Sequence, residues 1–261
     1  MCVFGNCQCS GIKYFLKFSK FYDYYDAYSY ANWELLNQPD LLPIEMIKKA
    51  DLIIYQPLSD VHGCYSTNIR NENSFMKLIK PECKILSFPR IHNNSLFPLF
   101  RKASNKPDYY GKVNNSFTTR KELLDLYNQN QLDFDLENRM NQNILISREK
   151  EKDCDVKIID FILEHIKTHK LFLTQDHPTS FIFNEITRQI CHMLDLEYDY
   201  EKGILEDENI VGLPDSVYTH SSKQYPISRY SMNYFQFEYI CEEDTNANDF
   251  YLQQLLTFYK L

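Results

Sequence analysis

The chain has 261 residues, enough for one large α/β domain, or one domain with a helical insertion, to bury a full core without cross-links. A formal charge of −8 argues against a nucleic-acid backbone as main partner, because such binding draws its affinity from clustered Lys and Arg. Only 6 Gly are present and no Walker or Rossmann fingerprint appears, which leaves little room for glycine-rich phosphate loops.

The first element is an apolar strand, Met1-Cys2-Val3-Phe4, which runs directly into Gly5-Asn6-Cys7-Gln8. Ile12, Phe15, Leu16 and Phe18 then recur at helical spacing and predict a helix of about three turns. A thiol on such a strand-to-helix turn lies at the positive end of a helix dipole, where its thiolate becomes a usable nucleophile. Tyr22 to Trp33 is aromatic and partly alternating, and reads as a second strand or a short helix.

Leu42 to Ala50 predicts a helix with Pro43 in its first turn, and Asp51 to Tyr55 a β-branched strand that ends at Gln56-Pro57. A helix is expected over Asn71 to Lys80, stopped by Pro81, before a strand over Lys84 to Phe88 that ends at Pro89-Arg90. The βαβαβαβ alternation implies a parallel sheet with helices on both faces and ligands at the carboxyl ends of its strands.

From Asn93 to Ser116 the chain is loop-like, with Pro98, Pro107 and Gly111. Arg101, Lys102 and Lys106 form a basic spot there that could meet a small phosphorylated ligand. Helix-period segments run from Thr118 to Lys170, with the stripe Val156, Ile159, Leu163 and Ile166, and the charged stretch Arg148 to Asp155 is expected to face solvent. Lys170 to Thr174 predicts another strand, followed by Gln175-Asp176-His177-Pro178 and a helix with the stripe Phe183, Ile186, Ile190 and Leu194. Extended segments are expected around Tyr230 to Ile240, and a final helix near Asp249 to Tyr259. This divides the chain into an α/β core with cleft-forming strand ends (1–116), a helical insertion or second lobe (117–170), and a return to the core with a C-terminal segment (171–261).

The cysteines at 2, 7, 9, 64, 83, 154, 191 and 241 form no CxxC pair, and several fall in apolar segments. They read as free thiols in a reducing compartment. No apolar run reaches the roughly 18 residues needed to span a bilayer, and no signal peptide precedes Gly5, so a soluble cytoplasmic protein is expected.

Four polar clusters stand where apolar strands end: Gly5-Asn6-Cys7-Gln8; Gln56-Pro57-Leu58-Ser59-Asp60-Val61-His62-Gly63; Ser87-Phe88-Pro89-Arg90-Ile91-His92-Asn93; and Thr174-Gln175-Asp176-His177-Pro178. Strand ends on one side of a parallel sheet converge, so distant clusters can share one cleft. His177 is the general-base candidate: Pro178 suits a first helical position and would set His177 at a helix N-terminus, where the dipole favours neutral imidazole. Cys7 either attacks an acyl thioester or belongs to a turn whose backbone N–H groups, with Asn6 or Gln8 as side-chain donors, meet an oxyanion. Ser59, Asp60 and His62 look like a triad written in one line, but side chains so close in a loop rarely point at one another. His62 is a ligand or second-base candidate, and His92 and Asp176 are substrate- or cofactor-binding candidates. Arg90 could hold a phosphate through its planar fork. Nothing has local metal-ligand spacing, and no metal is expected.

Together the four clusters resemble the capsular-polysaccharide biosynthesis proteins typified by WcbI, over about the first 195 residues. The resemblance rests on Gly5-Asn6-Cys7-Gln8, on Gln56-Pro57 with Ser59-Asp60 and His62-Gly63, on Phe88-Pro89-Arg90, and on Gln175-Asp176-His177-Pro178. It implies a cytoplasmic acyltransferase that binds coenzyme A and acetylates a sugar of a capsular or related polysaccharide. It also implies a variant SGNH-hydrolase-like, three-layer fold. Cys7 would occupy that fold's nucleophile turn and His177-Pro178 its late D-x-x-H-P element, although Asp176 stands next to His177 and not three residues before it. The expected function is acetyl transfer from acetyl-CoA to a sugar hydroxyl, with CoA phosphates on Arg90 and the basic loop. A carbohydrate esterase using water as acceptor is the alternative within enzymes. A non-catalytic glycan-assembly protein, whose 20 Tyr supply a sugar-stacking face, is the alternative outside them.

Overall fold

The computed structural model describes residues 1–32, 42–98, 113–209, 225–239 and 247–260. The fold is α/β, as expected. Four short strands form a parallel sheet: β1 (Cys2–Gly5), β2 (Tyr28–Ala31), β3 (Leu52–Tyr55) and β4 (Lys84–Ser87), in the order β2-β1-β3-β4. Cys2 pairs with Tyr28 on one side and Ile53 on the other, and Ile53 pairs onward with Ile85. β1 and β3 are near-continuous apolar runs because interior parallel strands are covered on both faces, and Val3, Leu52, Ile53 and Ile54 are fully buried.

The chain divides into two compact units that interleave in sequence, whereas the sequence reading divides it serially at 116 and 170. The first comprises Met1–Ile91, Ser147–Ile162 and Pro178–Ser222. In it, helix α1 (Gln8–Phe15) packs on β1 and β2 and against a helix over Ser180–Met193. Gly11 permits that approach, since a Cβ there would sit 2.6 Å from the Phe183 ring. The Phe183, Ile186, Ile190 stripe is buried as its spacing predicts. Elsewhere in this unit, Phe4, Ile53, Tyr65 and Phe75 cluster with Ile47 of helix α2 (Ile44–Lys49), whose N-cap is Pro43.

The second unit comprises His92–Ile146, Leu163–His177 and Lys223–Leu261. Its core gathers Leu123, Tyr127, Phe134, Tyr230, Tyr251 and Leu255. Leu123 and Tyr127 come from helix α3 (Arg120–Asn128), which opens on a reciprocal capping box between Thr119 and Glu122. A long helix, α4, covers Leu136–Glu151. The last helix runs over Ala247–Tyr259.

Several expectations are corrected. Residues 71–80 form only a 3-10 turn over Phe75–Leu78, because polar side chains there bond locally to backbone: Asn71 Oδ1 accepts from the Asn73 N–H at 3.0 Å and Ser74 Oγ from the Met76 N–H at 3.2 Å. The stripe from Val156 to Ile166 is not one helix. Helix α5 covers Ile159–His165, and Val156 instead donates its N–H to the Ser87 carbonyl at 3.0 Å. In the charged stretch 148–155, Glu151 and Cys154 are buried; the Glu151 carboxylate accepts from the Ile158 and Ile159 N–H groups at 2.8 and 3.0 Å, capping α5. Residues 229–235 are helical, not extended, started by the Ser228 side chain on the Ser231 N–H and ended by Gln236 in the left-handed region at φ 56°.

Candidate active site

In the sheet order β2-β1-β3-β4 the chain moves to one side of β1 and then to the other, so the topological switch point lies at the carboxyl ends of β1 and β3. Gly5-Asn6-Cys7-Gln8 and Gln56 stand there. Gly5 is required by close approach: a Cβ would lie 2.9 Å from the Phe88 ring and 3.4 Å from Gln56 Cβ. Asn6 Oδ1 accepts from the Gln8 N–H at 3.0 Å and so satisfies an orphan donor of α1, while Cys7 occupies the N-cap without a side-chain cap bond.

Two buried glutamines hold this turn. Gln56 Oε1 accepts from the Asn6 N–H at 3.2 Å, and Gln56 Nε2 donates to Gln8 Oε1 at 3.2 Å. Gln8 Oε1 also accepts from the Ile91 N–H at 3.2 Å, and Gln8 Nε2 donates to the Ile91 carbonyl at 2.7 Å. The first three sequence clusters are therefore tied together by one amide network. Both ends of the Gln8 carboxamide work inside the wall, whereas Asn6 Nδ2, on a half-exposed side chain, makes no hydrogen bond among the described residues. Cys7 is half-exposed. Burial instead pushes up the thiols of Cys2 and Cys83, and those of Cys154 and Cys191 to about 11.

Beyond β3, Ser59 and Asp60 are exposed and His62 half-exposed. Asp60 accepts from Ser66 Oγ at 2.6 Å, Asn68 Nδ2 at 2.9 Å and Asn71 Nδ2 at 3.0 Å, and these bonds hold its carboxyl below the usual carboxylate range. It organises the loop and makes no hydrogen bond to Ser59 or His62. Gly63, at φ 60°, kinks the 3-10 segment that carries His62. At the end of β4, half-buried Arg90 follows Ser87, which is gripped by a residue the sequence did not single out: Asp155 Oδ2 accepts from both the Ser87 N–H and Oγ at 2.7 Å. No local motif announces that partner.

In the second unit the third and fourth clusters meet. His92 Nδ1 lies 2.8 Å from Asp176 Oδ1, and the Asn93 N–H donates to the Gln175 carbonyl at 2.8 Å. His177 Nδ1 lies 2.8 Å from Thr174 Oγ1. The expected helix N-terminus at His177 is overturned: β5 (Phe172–Thr174) turns at Gln175-Asp176 into the short strand β6 (His177–Pro178), and the helix starts at Ser180 after Thr179 as N-cap. Pro178, lacking an N–H, sits in a two-residue edge strand where it forfeits little. The strand before this cluster therefore belongs to a separate two-stranded sheet, not to the parallel one.

Among the described residues no three His, Cys, Asp or Glu side chains gather into a metal-holding group, and no helix is long and apolar enough to cross a membrane. Arg101 and Lys102 lie outside the described residues.

A family model described as polysaccharide biosynthesis enzyme WcbI matches residues 1–199. A solved structure of WcbI, described as a novel polysaccharide biosynthesis enzyme in a native form without a disulfide bond between CoA and a cysteine, is similar at a TM-score of 0.66 and 17% identity, covering 100% of this chain and 89% of that one. No curated protein matches the chain.

Proposed function

The chain belongs to the WcbI family of polysaccharide biosynthesis enzymes, and from that premise we propose that it transfers an acetyl group from acetyl-CoA to a hydroxyl of a capsular or other surface-polysaccharide sugar, in the cytoplasm. The observation that carries this reading is the half-exposed Cys7 on a turn clamped at the switch point by two buried glutamines. The similar WcbI structure is described as a native protein without a disulfide bond between CoA and one of its cysteines, a description that names CoA and a cysteine together. Cys7 is the thiol this chain offers at its switch point.

In this proposal the thioester lies beside Cys7. Asn6 Nδ2 donates to the carbonyl oxygen as negative charge develops on it, and Arg90 pairs with the phosphates of CoA. The acceptor hydroxyl attacks the carbonyl directly, its proton passing to a histidine base, in an SGNH-like arrangement of turn and base. Gln8, Gln56 and Gly5 fix the turn; Ser59, Asp60 and His62 border the acceptor.

Titrating the full chain with CoA while following thermal unfolding tests the reading. Ligand at about 100 times its Kd contributes about 2.7 kcal/mol and should raise the midpoint by several degrees. Arg90→Ala should weaken that shift. Cys7→Ala and Cys7→Ser separate a nucleophile, whose loss abolishes turnover, from a neighbour of the CoA sulfur, whose loss does not. An unmoved midpoint at millimolar CoA would overturn the proposal.

A further inference from the structure

We infer that the start of helix α6 (Ser180–Met193) is a phosphate-binding site, in which the hydroxyls of Thr179 and Ser180 and the first amides of the helix meet one tetrahedral oxyanion. The site lies wholly within the first unit. It goes beyond the acetyl-transfer reading, since it requires a phosphate group whichever molecule carries it.

An α-helix leaves the N–H groups of its first turn without acceptors inside the helix. In α6 the first backbone bond runs from the Phe183 N–H to the Thr179 carbonyl at 3.4 Å. A threonine at the N-cap ordinarily lends its side-chain oxygen to one of the earlier N–H groups. Thr179 stands at the N-cap in extended backbone, φ −75° and ψ 169°, and makes no such bond. Nor does the first turn carry an acidic side chain to balance the positive end of the dipole.

A helix start of this kind is not by itself a site; two buried oxygens make the difference. Thr179 is 6% exposed and Ser180 3%, and neither Thr179 Oγ1 nor Ser180 Oγ has a hydrogen-bond partner among the described residues. Burying a hydroxyl unpaired is costly, so each such group points to a partner that completes it. Both hydroxyls can donate, amides only donate, and the dipole is positive here. The partner that satisfies them together is therefore a negatively charged group with several acceptor oxygens. A phosphate presents three at once, whereas a single water brings two lone pairs and no charge.

The position suits a ligand of the Cys7 turn. Phe183, one turn into α6, packs on Gly11, one turn into α1, where an added Cβ would sit 2.6 Å from the ring. Both helix starts thus lie about one turn, roughly 5.4 Å, from a shared contact. A molecule anchored by its phosphate at Thr179 and Ser180 can extend to Cys7.

Titrating the nitrogen-15-labelled full chain with inorganic phosphate tests the site, with sodium chloride of matched ionic strength as control. The Ser180 and Ile182 amide resonances should move with phosphate and not with chloride. Thr179→Val and Ser180→Ala should each weaken the apparent Kd about tenfold, while Thr179→Ser keeps it. Without phosphate, the valine and alanine variants should unfold at or above the wild-type temperature, because the hydroxyls they lose are unpaired. A purely structural role would lower that temperature. Amides that phosphate leaves unmoved, or variants that bind phosphate like wild type, overturn the inference; so does a lowered midpoint or loss of folding in the unliganded variants. Repeating the titrations with CoA and with glucose 1-phosphate identifies the carrier: variants weakened toward CoA place the phosphate on the acyl donor, and variants weakened toward the sugar phosphate place it on the acceptor. A wild-type thermal midpoint that ignores CoA, with the phosphate shifts intact, overturns the acetyl-transfer reading and leaves this site standing.

Discussion

Gln8→Leu keeps side-chain volume while removing both ends of a carboxamide that is 1% exposed. Three groups lose a partner together: the Ile91 carbonyl at 2.7 Å, the Ile91 N–H at 3.2 Å and Gln56 Nε2 at 3.2 Å. Both Ile91 and Gln56 are 3% exposed, so bulk water does not reach the orphaned atoms. An unpaired buried polar group costs about 1–3 kcal/mol, and neighbours do not add in full, so the variant should lose about 3 kcal/mol net of the leucine's own burial. Gln8→Ala removes the same bonds but leaves room for a water with polar partners on several sides, and should lose about 2 kcal/mol. The alanine variant is thus expected to be the more stable, the reverse of what apolar burial alone dictates. Urea unfolding followed by circular dichroism gives the magnitudes. Amide exchange at Ile91 and Asn6 locates them, since Ile91 loses its acceptor outright while Asn6 keeps Gln56 Oε1 on a side chain that has lost one anchor. A leucine variant as stable as the alanine one, or both within about 0.5 kcal/mol of wild type, would refute the reasoning.

The Asp60 carboxyl is held below its unfolded value, so its contribution is fully present above the ordinary carboxylate pKa of about 4 and is lost as pH falls through the lower folded value. The Ser66 and Asn68 resonances should shift in that acid window, and Asp60→Asn should abolish the shift; identical titration curves would count against the loop's dependence on Asp60. Iodoacetamide at neutral pH should label half-exposed Cys7 and Cys64 before Cys154 and Cys191, whose thiols burial pushes up to about 11. Mass spectrometry of the native chain, quenched early, reads the order; equal rates at all four would remove the basis for it.

What the sequence made legible is what adjacent residues decide. Cys2 to Gly5, Leu52 to Tyr55 and Lys84 to Ser87 are short apolar runs closed by polar turns, and each is a strand. The Phe183 stripe is a helix face for the same reason. What stayed hidden depends on partners far away in the chain. Asp176 stands beside His177 in sequence but reaches His92, 84 positions back, and Asp155 grips Ser87 across 68. Pro178 reads locally as a helix start, yet it closes a hairpin, because a proline suits an edge strand as well as a first helical turn. Glu151 lies in a run of charges and reads as solvated; two N–H groups of α5 bury it.

The hydrogen bonds that tie the Gly5 to Gln8 turn to its neighbours run between carboxamides and main-chain groups of Asn6, Gln8, Gln56 and Ile91. These bonds join neutral groups, so dissolved ions have little in them to screen. The turn should keep its shape across a wide span of ionic strength. On the proposed role of Arg90, added electrolyte would act on its contact with the CoA phosphates and not on the turn, so a change of activity with salt would measure that grip free of any contribution from a loosening scaffold.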